Sequence, residues 1–124
     1  MHWSGQVAIV DDDASVRMAL ERLLRLRGID CRSYSSAHAF LASLPDGAPV
    51  CLIVDVNMPG MTGLDLQREL LKRGVLLPTL VISASDDERV AETAKVLGAQ
   101  AFLPKPVGPD ALMVAISAAV KKRD

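Results

Sequence analysis

The sequence carries no surplus of charge of either sign, and that lack removes whole classes of function. Lysine and arginine number 14 against 15 aspartates and glutamates, so there is no overall basic field to hold nucleic acid or an anionic membrane. Direct nucleic-acid binding by this chain is therefore not expected. Cysteine is scarce: Cys31 and Cys51 lie in separate apolar stretches, with no Cys-x-x-Cys spacing and no histidine nearby. Neither a disulfide framework nor a zinc site is indicated, and a reducing cytosol suits both thiols. His2 and His38 are isolated and are assigned no function. Long apolar runs are missing too, and residues 1–6 have neither a basic region nor a hydrophobic segment. Secretion signals and transmembrane helices are thus not expected, and the chain is predicted to be cytoplasmic, with no membrane partner. No internal repeat, low-complexity tract or linker is visible. What the chain does have is apolar substance: 50% of its 124 residues are hydrophobic, enough for one domain, 1–124, whose core needs no disulfide or structural metal.

Short apolar runs alternate with longer segments of helical period, the pattern of a parallel sheet wrapped by helices, an α/β class. Strands are predicted at 6–10, 30–34, 50–54, 79–83 and 100–103. The third and fourth are apolar without alternation, as strands covered on both faces must be. Helical faces carry stop signals: Leu20, Leu23, Leu24 and Arg27 lead to Gly28, Leu66, Leu70 and Leu71 to Gly74, and Val90, Ala94 and Leu97 to Gly98. A last helix opens at Gly108-Pro109-Asp110, with proline at its first position and a carboxylate at the positive end of its dipole, and runs through Leu112, Ile116 and Val120. The charged tail 121–124 fits either the end of that helix or the start of a linker.

The polar residues that resist a structural explanation fall where strands end: Asp11, Asp12 and Asp13 after the first, Asp55 after the third, Ser83 closing the fourth, Lys105 after the fifth. Open α/β sheets bind ligands outside the carboxyl ends of their strands, so separate segments aim these groups at one rim. Taken singly, each has an ordinary explanation. Asp13 reads best as a helix cap, a strand-end serine often caps the next helix, and a lysine there is usually solvated. Asp11 and Asp12 are harder to set aside. Neighbouring strands lie about 4.8 Å apart, so carboxylates from Asp12 and Asp55 would crowd and need a cation to stay ionised. Oxygen ligands without histidine or cysteine suit a hard divalent ion, and one that keeps several waters is typically Mg2+. Lys105 and the Ser83 hydroxyl would then hold phosphate oxygens.

In order, Val-Ala-Ile-Val-Asp11-Asp12-Asp13, Val-Asp55-Val-Asn57-Met58-Pro59-Gly60-Met61-Thr62-Gly63, Ile-Ser83-Ala84 and Phe102-Leu-Pro-Lys105-Pro106 resemble the response-regulator receiver domains of two-component systems, and the resemblance covers essentially the whole chain. It implies a flavodoxin-like doubly wound sheet in the order 2-1-3-4-5. Asp55 would be the phosphoacceptor, and Asp12 and Asp55 direct Mg2+ ligands. Asp11 would act on the ion largely through water, and the Asn57 backbone carbonyl would be the remaining protein ligand. Ser83 would hydrogen-bond the phosphoryl group and Lys105 would pair with it. Phe102, one of few aromatics available, would be the switch residue turning into space that Ser83 vacates, and the Lys105-Pro106 bond would be cis. The implied partners are a sensor histidine kinase or phosphotransfer protein and an output domain or partner protein, with homodimerisation compatible. Such a protein is not an enzyme acting on outside substrates; it catalyses only its own phosphorylation and dephosphorylation. Pro104 takes a donor from the fifth strand, which is tolerable at a sheet edge, and Gly60 and Gly63 fit a tight turn beside the site.

One rival class uses the same letters. Haloacid-dehalogenase-like phosphatases place an Asp-x-Asp after the first strand, here Asp11 and Asp13, with a strand-end serine and a later lysine. The chain is short, lacks their cap and a later acidic pair, and the Asp55 motif would then have no role. A flavin-binding module fits the fold class but needs a phosphate loop where Asp11 to Asp13 stand, and a plain interaction module would leave every filled site position without a purpose.

Overall fold

The computed structural model describes residues 5–123. The expectations for residues 1–4, His2 among them, and for Asp124 lie outside these residues, as do the side chains of Lys122 and Arg123. Strands and helices alternate: β1 (Val7–Val10), α1 (Ala14–Leu26), β2 (Cys31–Tyr34), α2 (Ala37–Ser43) with a 3-10 turn (Leu44–Asp46), β3 (Cys51–Asp55), α3 (Gly63–Lys72), β4 (Thr79–Ser83), α4 (Glu88–Val96), β5 (Ala101–Pro104) and α5 (Pro109–Arg123). All strand pairs are parallel and their order is 2-1-3-4-5, the expected flavodoxin-like arrangement.

Alternate strand residues feed two cores, one on each face of the sheet. Val7, Ile9, Ile53, Leu80 and Ile82 pack with Leu20 and Leu24 of α1 and Leu112 and Ile116 of α5. Ala8, Val10, Leu52, Val54 and Val81 pack with Phe40 of α2, Leu66 and Leu70 of α3 and Ala94 of α4. Every residue of β1, β3 and β4 is buried, which is why their sequences lack alternation.

The structure corrects the sequence reading at element ends. β3 runs one residue further than its apolar stretch, because the ladder continues through Asp55, paired with Ile82. β5 likewise ends on Pro104, opposite Ser83. Proline has no N–H to give Ser83, and the next residue supplies it: Lys105 N donates to Ser83 O at 2.9 Å. Leu71, read as part of the packed face of α3, is 50% exposed, since one residue beyond Leu70 rotates about 100° around the helix. Arg27 and Leu97 are the C-caps of α1 and α4, each directly before its stop glycine.

Candidate functional site

The register of the sheet builds the site. Val10 of β1 lies beside Val54 of β3, so the residues that follow, Asp11 and Asp55, emerge abreast at the carboxyl rim. Both are buried, at 0% and 3% exposure. The crowding expected between Asp12 and Asp55 therefore falls first on Asp11 and Asp55. Asp12 stands exposed beside them, and one carboxylate oxygen from each of the three lies within 4.8 Å of the others.

Lys105, arriving from β5, places Nζ 3.0 Å from Asp11 Oδ2 and 3.2 Å from Asp55 Oδ1. Neither oxygen receives an aligned hydrogen bond. The contact is thus electrostatic rather than directional, and the separations carry the argument because a pair this close and this desolvated interacts strongly whatever its angles. Burial pushes the Asp55 carboxyl above its usual range, and the negative charge of Asp11 adds to the rise, with Lys105 opposing it. Burial pulls the Lys105 ammonium down, but the two carboxylates outweigh it and hold its pKa above the ordinary value. The lysine is a permanent cation between two acids that repel each other. Removing it leaves them uncompensated. Lys105→Met is expected to cost on the order of 2 kcal/mol at neutral pH, less than the roughly 3–5 of a wholly buried pair because the lysine side chain is 19% exposed. Urea unfolding should show the loss shrinking as the pH falls and Asp55 takes up a proton; an equal loss at both ends would sink the charge argument.

The remaining expected residues surround this core. Ser83 is fully buried at the end of β4; its Oγ accepts from Ser85 N at 3.0 Å, leaving the hydroxyl hydrogen free for another acceptor. The turn beyond continues in the same manner: Ser85 Oγ accepts from Asp87 N, and Asp87, the N-cap of α4, accepts from Arg89 N through Oδ1. Ser83 is thereby linked stepwise to the start of α4. Asn57 is exposed in the loop after β3, and its backbone N–H steadies the Asp55 carboxylate. Phe102 is half-buried on β5 beside Val81, packed with the α4-side core and lining a groove with Glu88, Glu92 and Lys95 of α4. It is not in the acidic pocket itself. The Lys105-Pro106 bond is cis. Asp13 is the N-cap of α1: its Oδ1 accepts from the N–H and the hydroxyl of Ser15 at 2.9 and 2.6 Å.

Besides the turn through Ser85, two features near the pocket were missed. Arg17 of α1 donates from Nη1 to the Asp11 carbonyl at 2.7 Å; nothing in the spacing of α1 separates it from the exposed arginines around it. Thr62 and Asp65 form a reciprocal capping box that fixes the start of α3, and Thr-x-x-Asp is a signal the sequence offered.

Five strand ends of one parallel sheet, three clustered acids and a half-buried lysine define a class, and comparison with known proteins identifies it. The family model for the response regulator receiver domain matches residues 7–117, and the chain belongs to that family. It is 42% identical over 115 residues to the response regulator protein TodT of Pseudomonas putida, covering 93% of this chain and 51% of TodT. It is 36% identical over 116 residues to the DNA-binding transcriptional regulator NtrC of Salmonella typhimurium, covering 94% of this chain and 25% of NtrC. The chain thus spans about half of one relative and a quarter of the other. A response regulator receiver protein from Burkholderia phymatum has a solved structure that superposes with a TM-score of 0.82 at 40% identity, over 95% of this chain and 96% of that one. No helix among the described residues is long and apolar enough to cross a membrane.

Proposed function

We propose that this receiver, taken as one domain, 1–124, accepts a phosphoryl group on Asp55 from a sensor histidine kinase or phosphotransfer protein in a Mg2+-dependent reaction, and relays its phosphorylation state to an output domain or partner protein in the cytoplasm. The observation that carries this reading is the pairing of buried Asp55 with Lys105 at 3.2 Å, inside a cluster of three carboxylates.

The donor set fits the ion. Three carboxylates with no nitrogen or sulfur ligand are the chemistry of a hard cation. Asp12 and Asp55 would hold Mg2+ directly, Asp11 through water, and the Asn57 carbonyl would complete the protein ligands. When bound, the ion would offset the acids and draw the donor's phosphate oxygens into place.

The chain's own residues supply the rest. Ionised Asp55 is already a nucleophile and needs no general base. One of its oxygens forms a bond to phosphorus as the bond to the donor's leaving group breaks, and the leaving group departs with that electron pair. Lys105 offsets charge on the transferring oxygens, and the free Ser83 hydroxyl donates to one of them. Drawing Ser83 inward disturbs the stepped turn through Ser85 and Asp87 and opens space toward Phe102, so α4 and β5 form the face that changes. Water attack on the acyl phosphate resets the domain. The only reactions it catalyses are its own phosphorylation and dephosphorylation.

Intact-mass analysis after incubation with acetyl phosphate tests the reading. One phosphoryl adduct is expected with Mg2+ and none with excess chelator. Labelling that ignores the chelator, or no labelling in either case, would end it.

A further inference from the structure

We propose that Arg17 is a positioning residue for the acidic pocket: it fixes the Asp11–Asp12 peptide, and through it the carboxylate of Asp12. Mg2+ as the occupant rests on the functional reading above; the geometry of Asp12 does not.

Asp12 has no side-chain partner among the described residues, and it is exposed. An unpartnered exposed carboxylate takes its direction from the backbone that carries it, and both peptides flanking Asp12 are anchored. On one side, the Asp11 carbonyl accepts from Arg17 Nη1 at 2.7 Å. On the other, the Asp13 N–H donates to Asp11 Oδ1 at 2.9 Å. The rest of Asp11 is held as well, its N–H donating to Tyr34 O at 3.2 Å and its Oδ2 facing Lys105. Of these holds, Arg17 is the one supplied by a side chain of α1. It reaches back from the first turn of the helix to the loop that precedes it, with a short charge-assisted bond in a partly buried setting.

Two physical effects oppose each other here. A guanidinium near a cation site repels the cation, so a residue acting through charge alone would, when removed, let Mg2+ bind more tightly. A residue that orients a ligand would, when removed, make binding weaker, typically by tenfold or more. The short bond, and the lack of any side-chain partner for Asp12 among the described residues, make orientation the larger effect, and the sign of the change decides between them. A merely structural role in α1 would lower thermal stability and leave the pocket unaltered.

The experiment is calorimetric titration of the full chain with Mg2+, comparing the parent with Arg17→Met, Arg17→Lys and Arg25→Met. Arg25 lies on the same helix, is exposed and pairs with Glu21, so it controls for loss of a nearby cation. Arg17→Met is expected to weaken Mg2+ binding by about tenfold or more, Arg17→Lys to recover part of that, and Arg25→Met to match the parent. Amide hydrogen exchange without metal supplies the second readout: the Asp13 amide should lose protection in Arg17→Met and keep it in Arg25→Met. Parental or tighter Mg2+ binding by Arg17→Met overturns the proposal. If the parent takes up no Mg2+, the metal reading of the pocket fails by itself. Arg17 is then judged on the Asp13 amide, and unchanged protection overturns it.

Discussion

Asp55→Asn is expected to abolish phosphoryl uptake entirely and to make the metal-free domain more stable at neutral pH. The first effect follows from chemistry, since a carboxamide of nearly the same shape offers no anionic oxygen to phosphorus. The second follows from burial. Asp55 is 3% exposed, and burial, reinforced by Asp11, raises its pKa above that of an unfolded aspartate. A group whose folded pKa is raised contributes stability that is full below the unfolded value of 3.8 and is lost as pH rises through the folded value. The parent should therefore gain stability as the pH falls from neutral toward that window, while the asparagine variant, already uncharged there, should change less. At neutral pH the variant should be ahead by about 0.5–2 kcal/mol, the usual size of a single stabilising substitution. Further acidification reverses the trend for both proteins. Asp13 is held low by Ser15, Asp65 by Thr62 and Glu69 by Arg73, and what these contribute is lost as pH falls through their folded values. Mg2+ should flatten the parent's gain, because it binds the ionised acids that protonation removes. Intact mass and thermal unfolding across the acid range check both halves. An adduct surviving in Asp55→Asn would move the acceptor to Asp11 or Asp12, and a variant no more stable than the parent would mean that Lys105 already neutralises the buried charge.

Much of this site was legible because a parallel sheet sends all its carboxyl ends to one rim. Asp11, Asp55, Ser83 and Lys105 could be placed together from strand ends alone. Which acid stands beside Asp55 could not, because it depends on the register that puts Val10 next to Val54, and side-chain patterns do not reveal register between strands that are apolar throughout. The ends of β3 and β5 slipped for a related reason. Hydrogen bonding carries the ladder through Asp55 and Pro104, whereas the apolar runs stop one residue earlier. Arg17 and Ser85 stayed hidden because their partners are backbone groups, the Asp11 carbonyl and the Asp87 amide, and such bonds leave no complementary residue type to find.

Gly63 shows the same division, and its replacement should have the second largest effect. As a turn glycine it looks like Gly60, yet only Gly60 has a left-handed backbone, with φ of 76°. Gly63 is needed for space. It opens α3 after the Thr62 cap, and its N–H donates to Val56 O at 3.0 Å, drawing the helix against the end of β3. A Cβ there would collide with the Asp55 carbonyl oxygen and lie 3.0 Å from the Asp55 carbonyl carbon and 3.1 Å from Val56 Cα. All three are main-chain atoms, so no side chain can swing aside; either the capped helix or the Asp55 backbone must shift. Overpacking of this kind costs about 1–3 kcal/mol, which in a domain of this size lowers the unfolding midpoint by roughly 4–15 °C. The movement falls on the nucleophile, and a misplacement of about 1 Å can cost on the order of a hundredfold in rate. Gly63→Ala should therefore unfold earlier and phosphorylate far more slowly with acetyl phosphate. Gly60→Ala is the contrast: its added Cβ meets nothing within 4 Å, so it should pay only the left-handed backbone strain of about 1–2 kcal/mol and keep most of the parental rate. Equal rates for the two variants would show that the approach of α3 to β3 does not hold Asp55 in place.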